Sequence, residues 1–187
     1  GGDMLTENQK KLLLKIARET LENYLSGKKL PELKIDDPIL KEKRGVFVTL
    51  HKKGNLRGCI GYIEPIKPLY IAVREMAINS ATRDPRFEPV TYEELKDVEI
   101  EISVLTVPQK VKSADEIVLG RDGVIVKRGF NQGVFLPQVA EETGWTKEEF
   151  LSYLCSHKAG LPADAWKDPK TELYIFQAEV FSEGDFK

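Results

Sequence analysis

Cysteine and histidine are scarce in this sequence. Its 187 residues include two cysteines, Cys59 and Cys155, and two histidines, His51 and His157. Two cysteines are too few for the disulfide framework of a small secreted domain, so we expect reduced thiols and a cytoplasmic location. A tetrahedral zinc site would need carboxylates to complete its ligands, and we therefore predict no metal site.

Long apolar runs and a strong excess of one charge are also missing. No segment approaches the roughly 20 consecutive apolar residues that cross a bilayer, which argues against a membrane protein. Acidic residues outnumber basic ones by only 30 to 28, giving a formal net charge of −2. Dedicated duplex-binding domains are usually strongly basic, so nucleic-acid binding is disfavoured. What remains is the composition of an ordinary globular protein, with 41% hydrophobic and 31% charged residues.

The first half of the chain predicts two helices, a hairpin and a further strand. Thr6 and Gln9 have the spacing of a capping box and precede apolar residues at helical intervals. Turn residues between two β-rich runs indicate the hairpin, and strict apolar–polar alternation indicates the later strand. These elements are predicted at about 7–26 (helix), 45–63 (hairpin), 68–82 (helix) and 98–106 (strand).

The second half repeats this order, which predicts an α+β fold with a mainly antiparallel sheet. Its elements are expected at about 124–126, 134–136 and 173–181 (strands) and at 137–143 and 146–160 (helices). Gly45-Val46-Phe47-Val48 resembles Gly123-Val124-Ile125-Val126, and each opens a hairpin. We therefore predict duplicated hairpin–helix–strand units at about 45–107 and 123–181. The alternative is that an α+β protein repeats such an order by chance.

Five short motifs resemble those of the AMMECR-type family, named after a human chromosomal region linked to Alport syndrome, midface hypoplasia and elliptocytosis. The hexapeptide Leu56-Arg57-Gly58-Cys59-Ile60-Gly61 resembles the hallmark of that family, and Asp84-Pro85-Arg86-Phe87 resembles its second signature. The remaining blocks are 101–105, 135–139 and 154–161. All five occur in order over about 45–162, which makes a chance resemblance very improbable.

The resemblance implies a single AMMECR-type domain over 3–187 with a duplicated strand–helix–strand unit. Prokaryotic proteins of this type are fused to, or encoded beside, a Memo-type domain and a radical SAM protein. This association implies a shared modification pathway with a Memo-type protein and a radical SAM protein as partners. The family has no agreed reaction, substrate or cofactor, so the resemblance leaves the cofactor unknown.

Strand alternation suggests how the hexapeptide could act chemically. It places Leu56, Gly58, Ile60 and Tyr62 on one face, which we expect to be the core side. Arg57 and Cys59 then project together from the opposite face. A guanidinium beside a thiol favours the thiolate, which makes Cys59 a candidate nucleophile. Gly58 and Gly61 would leave room for a ligand beside Arg57.

A packing interpretation accounts for the same residues. Free cysteines are commonly small buried hydrophobes, and glycines often permit close packing or a bulge. In this interpretation Arg57 pairs with a carboxylate such as Asp84. A cysteine nucleophile also needs a general base, for which His51 and His157 are the candidates. Cys155 lies on an apolar helix face, where core packing is expected.

The second signature also has two interpretations. Structurally, Asp84 would cap a turn, Phe87 would fill the core and Arg86 would bridge to a strand acid. Functionally, a proline-stiffened loop would hold Arg86 toward an anionic ligand and close over the face that carries Cys59.

Three functions follow from these alternatives. We favour an enzyme, or an enzyme component, acting on a small-molecule or peptide ligand in a pocket around the hexapeptide. The second is a non-catalytic adaptor that binds a Memo-type partner. The third is a nucleic-acid-binding protein with a basic surface formed by Lys52, Lys53, Arg57, Arg83 and Arg86.

Overall fold

A computed structural model describes residues 5–187 as helices combined with two antiparallel sheets, which confirms the predicted α+β class. The helices are α1 (Glu7–Leu25), α2 (Leu69–Thr82), α3 (Gln138–Thr143) and α4 (Lys147–Tyr153). The strands are β1 (Val46–Lys52), β2 (Asn55–Tyr62), β3 (Val98–Leu105), β4 (Gln109–Val111), β5 (Gly123–Arg128), β6 (Asn131–Phe135), β7 (Glu172–Phe176) and β8 (Ala178–Ser182). Among the described helices, none is long and apolar enough to cross a membrane.

The first of two compact units comprises the described residues up to Val107 together with Glu179–Lys187. Its sheet has the strand order β2-β1-β3-β8, and α2 packs on β1 and β2. The predicted capping box begins α1, because the backbone N–H groups of Thr6 and Gln9 each donate to the side chain of the other. The alternating residues of β3 bury Ile100 and Ile102 completely in the core of this unit.

The second unit is Pro108–Ala178, with a sheet in the order β4-β7-β5-β6. A capping box at Thr146 begins α4, which buries Phe150 and Leu151. The helix then continues as a π-helical turn over Leu154–Lys158. The predicted helix over 146–160 is therefore an α-helix of seven residues followed by this wider turn.

The predicted single strand over 173–181 is wrong, since the chain divides at Gln177 into β7 and β8. β7 belongs to the sheet of the second unit and β8 to the sheet of the first. Both segments are rich in β-forming residues, so the local pattern is continuous. Which sheet a strand joins depends on tertiary packing, and the sequence pattern does not carry that information.

The two sheets have the same strand order around their hairpins, but the first hairpin contains a register shift and the second does not. In each sheet the first hairpin strand lies between the second hairpin strand and the strand that follows the helices. Val46 pairs with Tyr62 and Val104, and in the same way Val124 pairs with Phe135 and Ile175. Superposition of 45–107 on 123–181 stays a prediction, and β8, within the second range, lies in the first sheet.

Candidate functional site

The hexapeptide lies on β2, an edge strand of the first sheet, and contains a β-bulge. Leu50 pairs with Gly58, but the next residue along β1 pairs with Leu56, which leaves Arg57 as the extra residue. The bulge interrupts the side-chain alternation at this point. Leu56 is 40% exposed, so its predicted place on the core face is wrong, whereas Ile60 does pack against the core.

The two glycines of the hexapeptide permit close packing within the protein itself. A Cβ atom on Gly58 would overlap the backbone carbonyl of Ser80 in α2. One on Gly61 would overlap the backbone of Val46 and the ring of Phe47. The space that we expected for a ligand beside both glycines is therefore filled by α2 and β1.

Asp84 joins the second signature to the hexapeptide. Its buried carboxylate accepts the Cys59 backbone N–H at 3.0 Å through Oδ2. The same oxygen accepts Nη2 of Arg86 at 2.7 Å, and Oδ1 accepts the Arg86 backbone N–H and Nε at 3.1 and 3.0 Å. The hydrogen bond from the Arg86 side chain holds the pKa of Asp84 well below its usual range, against the opposing effect of burial. Asp84 is thus an ionised acceptor with four hydrogen bonds.

Arg57 fastens the far end of the same loop, and its predicted pairing with Asp84 is wrong. Its Nη1 donates to the carbonyl of Glu88 at 2.8 Å, and its Nη2 donates to the carbonyl of Pro89 at 3.3 Å. Nε and Nη2 also donate to the two carboxylate oxygens of Glu94, at 3.1 and 3.2 Å. All three nitrogens of the Arg57 guanidinium therefore donate hydrogen bonds within the protein, and these bonds hold residues 88–94 against β2.

Glu94 holds this end of the site together. Its carboxylate also accepts Nζ of Lys52 at 2.9 Å and the backbone N–H of Thr91 at 2.7 Å. Burial alone would raise the pKa of Glu94, but the hydrogen bonds from Thr91, Lys52 and Arg57 outweigh it and lower the pKa to about 2.

Arg86 projects into solvent next to this network. It pairs with Asp84 of its own loop, so the predicted bridge to a strand acid is wrong, and its side chain is 56% exposed. Phe87 is half-buried with its ring centroid 5.4 Å from the guanidinium carbon, and it does not fill the core as predicted. The hydrogen bond to Asp84 raises the pKa of Arg86 against the effect of burial, and the negative charge of Asp84 adds to the rise.

The Cys59 thiol is half-buried and has a hydroxyl partner that the sequence analysis missed. Its Sγ lies 3.2 Å from Oγ1 of Thr49, and either group can be the donor. The two residues are cross-strand partners in the β1–β2 ladder. The signal for Thr49 was present in the sequence, because the hairpin turn at Lys53 and Gly54 sets the approximate register. The bulge adds one residue to that register, which a turn-based alignment misses.

The other predicted participants are Cys155, His157 and His51. Cys155 is fully buried in the second unit, where burial raises the pKa of its thiol. His157 is exposed in the same unit, with its ring centroid 5.0 Å from that of Tyr153. His51 pairs with Leu56 along the ladder, and no described contact links either histidine to Cys59. Within residues 5–187, no three His, Cys, Asp or Glu side chains are grouped for metal binding.

A cleft of about 740 Å³ in the first unit lies outside the hexapeptide. It is lined by Arg18, Glu22, Tyr92, Lys96 and Glu183 among others, and no residue of 56–61 contributes to it. Arg18 is occupied within the protein, since it donates to Glu183 and to the carbonyl of Leu95.

The fold and the site together define a class of α+β protein in which an edge-strand cysteine is tied to an Asp-Pro-Arg loop. The family model described as AMMECR1 matches residues 14–181, and this chain belongs to that family.

Similar proteins occur across archaea. A protein of Methanothermobacter thermautotrophicus is 52% identical over 96% of each chain. Protein MK0488 of Methanopyrus kandleri is 48% identical over 97% of this chain and 92% of its own. The crystal structure of uncharacterized protein PH0010 from Pyrococcus horikoshii, 46% identical, matches with a TM-score of 0.79 over 92% of this chain and 90% of that one.

Proposed function

We propose that this chain is an enzyme, or an enzyme component, that uses Cys59 as its nucleophile and Arg86 to bind an anionic group of the substrate. The observation that carries the proposal is that one carboxylate oxygen of Asp84 binds both the backbone N–H of Cys59, whose thiol is half-buried, and the guanidinium of Arg86. Thr49 offers the thiol a hydrogen bond. Asp84 and Arg57 act as positioning residues, because they fasten the two ends of the loop to β2.

The chemistry of these groups suggests a substrate class. Nε and Nη2 of Arg86 bind Asp84, whereas Nη1 makes no described hydrogen bond, and the side chain is 56% exposed. Arginine binds carboxylate and phosphate groups well, so the substrate would carry one of these next to an electrophilic centre. The Cys59 thiolate would form a bond to that centre as the leaving group departs with its electron pair. The thiol proton would pass to solvent, since no described side chain contacts the thiol as a base.

The partners in this proposal are a Memo-type protein and a radical SAM protein. The support is the association of prokaryotic members of the family with these two proteins. The proposed site would then act on a small molecule or a peptide that one of these partners supplies or receives.

Alkylation of the two cysteines tests the nucleophile. The native protein is treated with limiting iodoacetamide, and the labelled peptides are quantified by mass spectrometry. We expect Cys59 to react faster than a free-thiol peptide, while Cys155 stays protected by its burial. Protection of both thiols until denaturant is added would remove the enzyme proposal.

A change of reagent tests the anion preference separately. Iodoacetate is negatively charged and iodoacetamide is neutral, so the ratio of their rates at Cys59 reports the local charge. We expect Arg86→Gln to lower this ratio about threefold or more. Arg121→Gln is the matched control, because Arg121 pairs with the buried Asp122 through Nε and Nη2 in the same way and is 55% exposed. Equal ratios in the two variants would contradict the role of Arg86.

The adaptor function is the second candidate, and one observation favours it. Phe130 is fully exposed at the tip of the β5–β6 hairpin, where an aromatic side chain can anchor a protein partner. An inert Cys59 would move this function ahead. The nucleic-acid alternative has less support, since Lys52 and Arg57 of its basic set both bind Glu94.

A further inference from the structure

The face of the first sheet that carries Cys59 lies opposite the core. Along most of β1 and β3, fully buried residues alternate with half-buried ones, so every second side chain points away from the core. We call this side of β1, β2 and β3 the outer face. None of its residues is fully buried, and they are Phe47, Thr49, His51, Cys59, Gly61, Glu99, Glu101 and Ser103.

One row of the outer face joins Cys59 to Glu101 through Thr49. Thr49 pairs with Cys59 in the β1–β2 ladder and with Glu101 in the β1–β3 ladder. Paired residues of neighbouring strands project from the same side of a sheet, so the three side chains lie side by side. Neighbouring strands are about 4.8 Å apart, which places Cys59 and Glu101 about 10 Å from each other. A molecule that reacts with Cys59 therefore reaches Glu101 if it extends along this row.

Glu101 is a half-buried carboxylate without a described partner. The strands of the first sheet carry three acidic residues, Glu99, Glu101 and Glu179, and all three are half-buried. Glu99 accepts the backbone N–H of Gly184 at 2.7 Å, and Glu179 accepts that of Leu5 at 3.1 Å. The Glu101 side chain makes no hydrogen bond or ion pair in the described part of the chain. Partial burial removes some of the water that solvates a carboxylate, and a cationic group would supply the compensating interaction.

The distribution of charge around this row is asymmetric. The outer face has no lysine or arginine, and its one basic residue, His51, pairs with Glu99 in the neighbouring row. The guanidinium of Arg86 belongs to the opposite end of the row, because Asp84 binds both this group and the backbone N–H of Cys59. The charge therefore changes from positive beside β2 to negative on β3.

We propose that Glu101 binds a cationic group of the substrate that Cys59 attacks. The substrate is then a zwitterion, with a carboxylate or phosphate beside Arg86 and an alkylammonium group that extends across Thr49 to Glu101. Glu101 selects this substrate and takes no part in bond formation. The inference rests on the proposed function of Cys59, and it narrows the substrate class from any anion to a molecule with charges of both signs.

Two thiosulfonate reagents of similar length test the charge at Glu101. Aminohexyl methanethiosulfonate carries an ammonium group at the far end of its chain, and heptyl methanethiosulfonate is its uncharged analogue. Both form a mixed disulfide with a thiolate and release methanesulfinate, so the ratio of their rates at Cys59 cancels the intrinsic reactivity of the thiol. Limiting reagent is added to the native full chain, and labelled peptides are quantified by mass spectrometry without reduction. We expect Glu101→Gln to lower the ratio of the cationic to the neutral rate about fivefold.

Glu22→Gln is the matched control for this experiment. It makes the same change of net charge at an exposed position of α1, a helix that packs against the core and so lies on the other side of the sheet. This variant should keep the wild-type ratio, whereas Glu101→Lys should lower the ratio further than Glu101→Gln does.

Two kinds of failure are distinguishable. An unchanged ratio in Glu101→Gln, or an equal decrease in Glu22→Gln, would overturn this inference and leave the role of Cys59 intact. If Cys59 reacts with neither reagent until denaturant is added, the proposed function fails and this inference fails with it.

Discussion

Gly58 sets how closely α2 approaches β2. Any Cβ at this position meets the backbone carbonyl of Ser80, which cannot move unless the helix moves. We expect Gly58→Ala to lower the free energy of unfolding by about 3 kcal/mol, as measured by urea denaturation. Gly184→Ala is the matched control, because there the Cβ meets the carboxylate of Glu99, at the end of a flexible side chain. A similar loss in both variants would argue against this account of Gly58.

Glu94 makes the stability of the first unit depend on pH. Its pKa is lowered to about 2 in the folded protein, so the unfolded chain binds its proton at higher pH than the folded chain does. The stabilisation is complete above the unfolded pKa of about 4.5 and is lost as the pH falls toward 2. We expect Glu94→Gln to lower the free energy of unfolding by about 2 kcal/mol at pH 7. The decrease in this free energy between pH 4.5 and pH 2, measured by urea denaturation, should also become smaller. Glu93→Gln, at an exposed neighbouring position, is the control and should show the same dependence of stability on pH as the wild type.

Part of the site could be predicted from residue types, and part depended on geometry that the residues do not encode locally. The pairing of a glycine-flanked cysteine with an Asp-Pro-Arg loop was recognisable from the two motifs. The ion-pair partner of each charged side chain was not recognisable, because the sequence contains several acidic residues that could pair with Arg57. The bulge decides the matter, since it turns Arg57 toward Glu94 and leaves the Cys59 N–H to Asp84.

The loop between α2 and the residues before β3 is an element held at both ends. Asp84 binds the backbone of β2 at one end, and Arg57 binds the carbonyls of Glu88 and Pro89 at the other. We expect Arg57→Gln to free the second end, so that amide hydrogen exchange over residues 86–91 becomes faster. Exchange by mass spectrometry would measure this.

Lys53→Gln provides the comparison for that experiment. Lys53 lies exposed at the tip of the same hairpin, so its loss removes a nearby charge without touching the loop. Unchanged exchange in Arg57→Gln, or an equal increase in Lys53→Gln, would show that Arg57 does not hold the loop.

Elements with a local signal were predictable, and elements defined by distant partners were not. The capping box at Thr6 predicted the start of α1, and the turn residues between two β-rich runs predicted the first hairpin. β4 has three residues and no pattern of its own. The division of 173–181 likewise follows from membership of two different sheets.

At the scale of the whole molecule, the second unit is an insertion into the first. The chain leaves after β3 and returns at β8, and Glu183, just beyond β8, accepts the N–H of Ile100 near the start of β3. β8 therefore begins near the point where β3 ends. We expect a short Gly-Ser linker in place of 108–178 to leave the first unit folded. The shortened protein should unfold cooperatively when followed by circular dichroism, and its alkylation rate at Cys59 should match that of the full chain. A molten product would contradict the expectation.

The pairing of Gln109 with Ile175 has a consequence for how the first sheet is completed. About 70 residues separate the departing strand from the returning one, and closing a flexible loop of that length costs ~4 kcal/mol in chain entropy. A folded insertion brings its own two ends together and removes most of that cost. For the first unit, the folded insertion therefore acts as a short connection between β3 and β8. A substitution that unfolds the second unit would therefore loosen the pairing of β8 in the first sheet, although no residue of that sheet has changed.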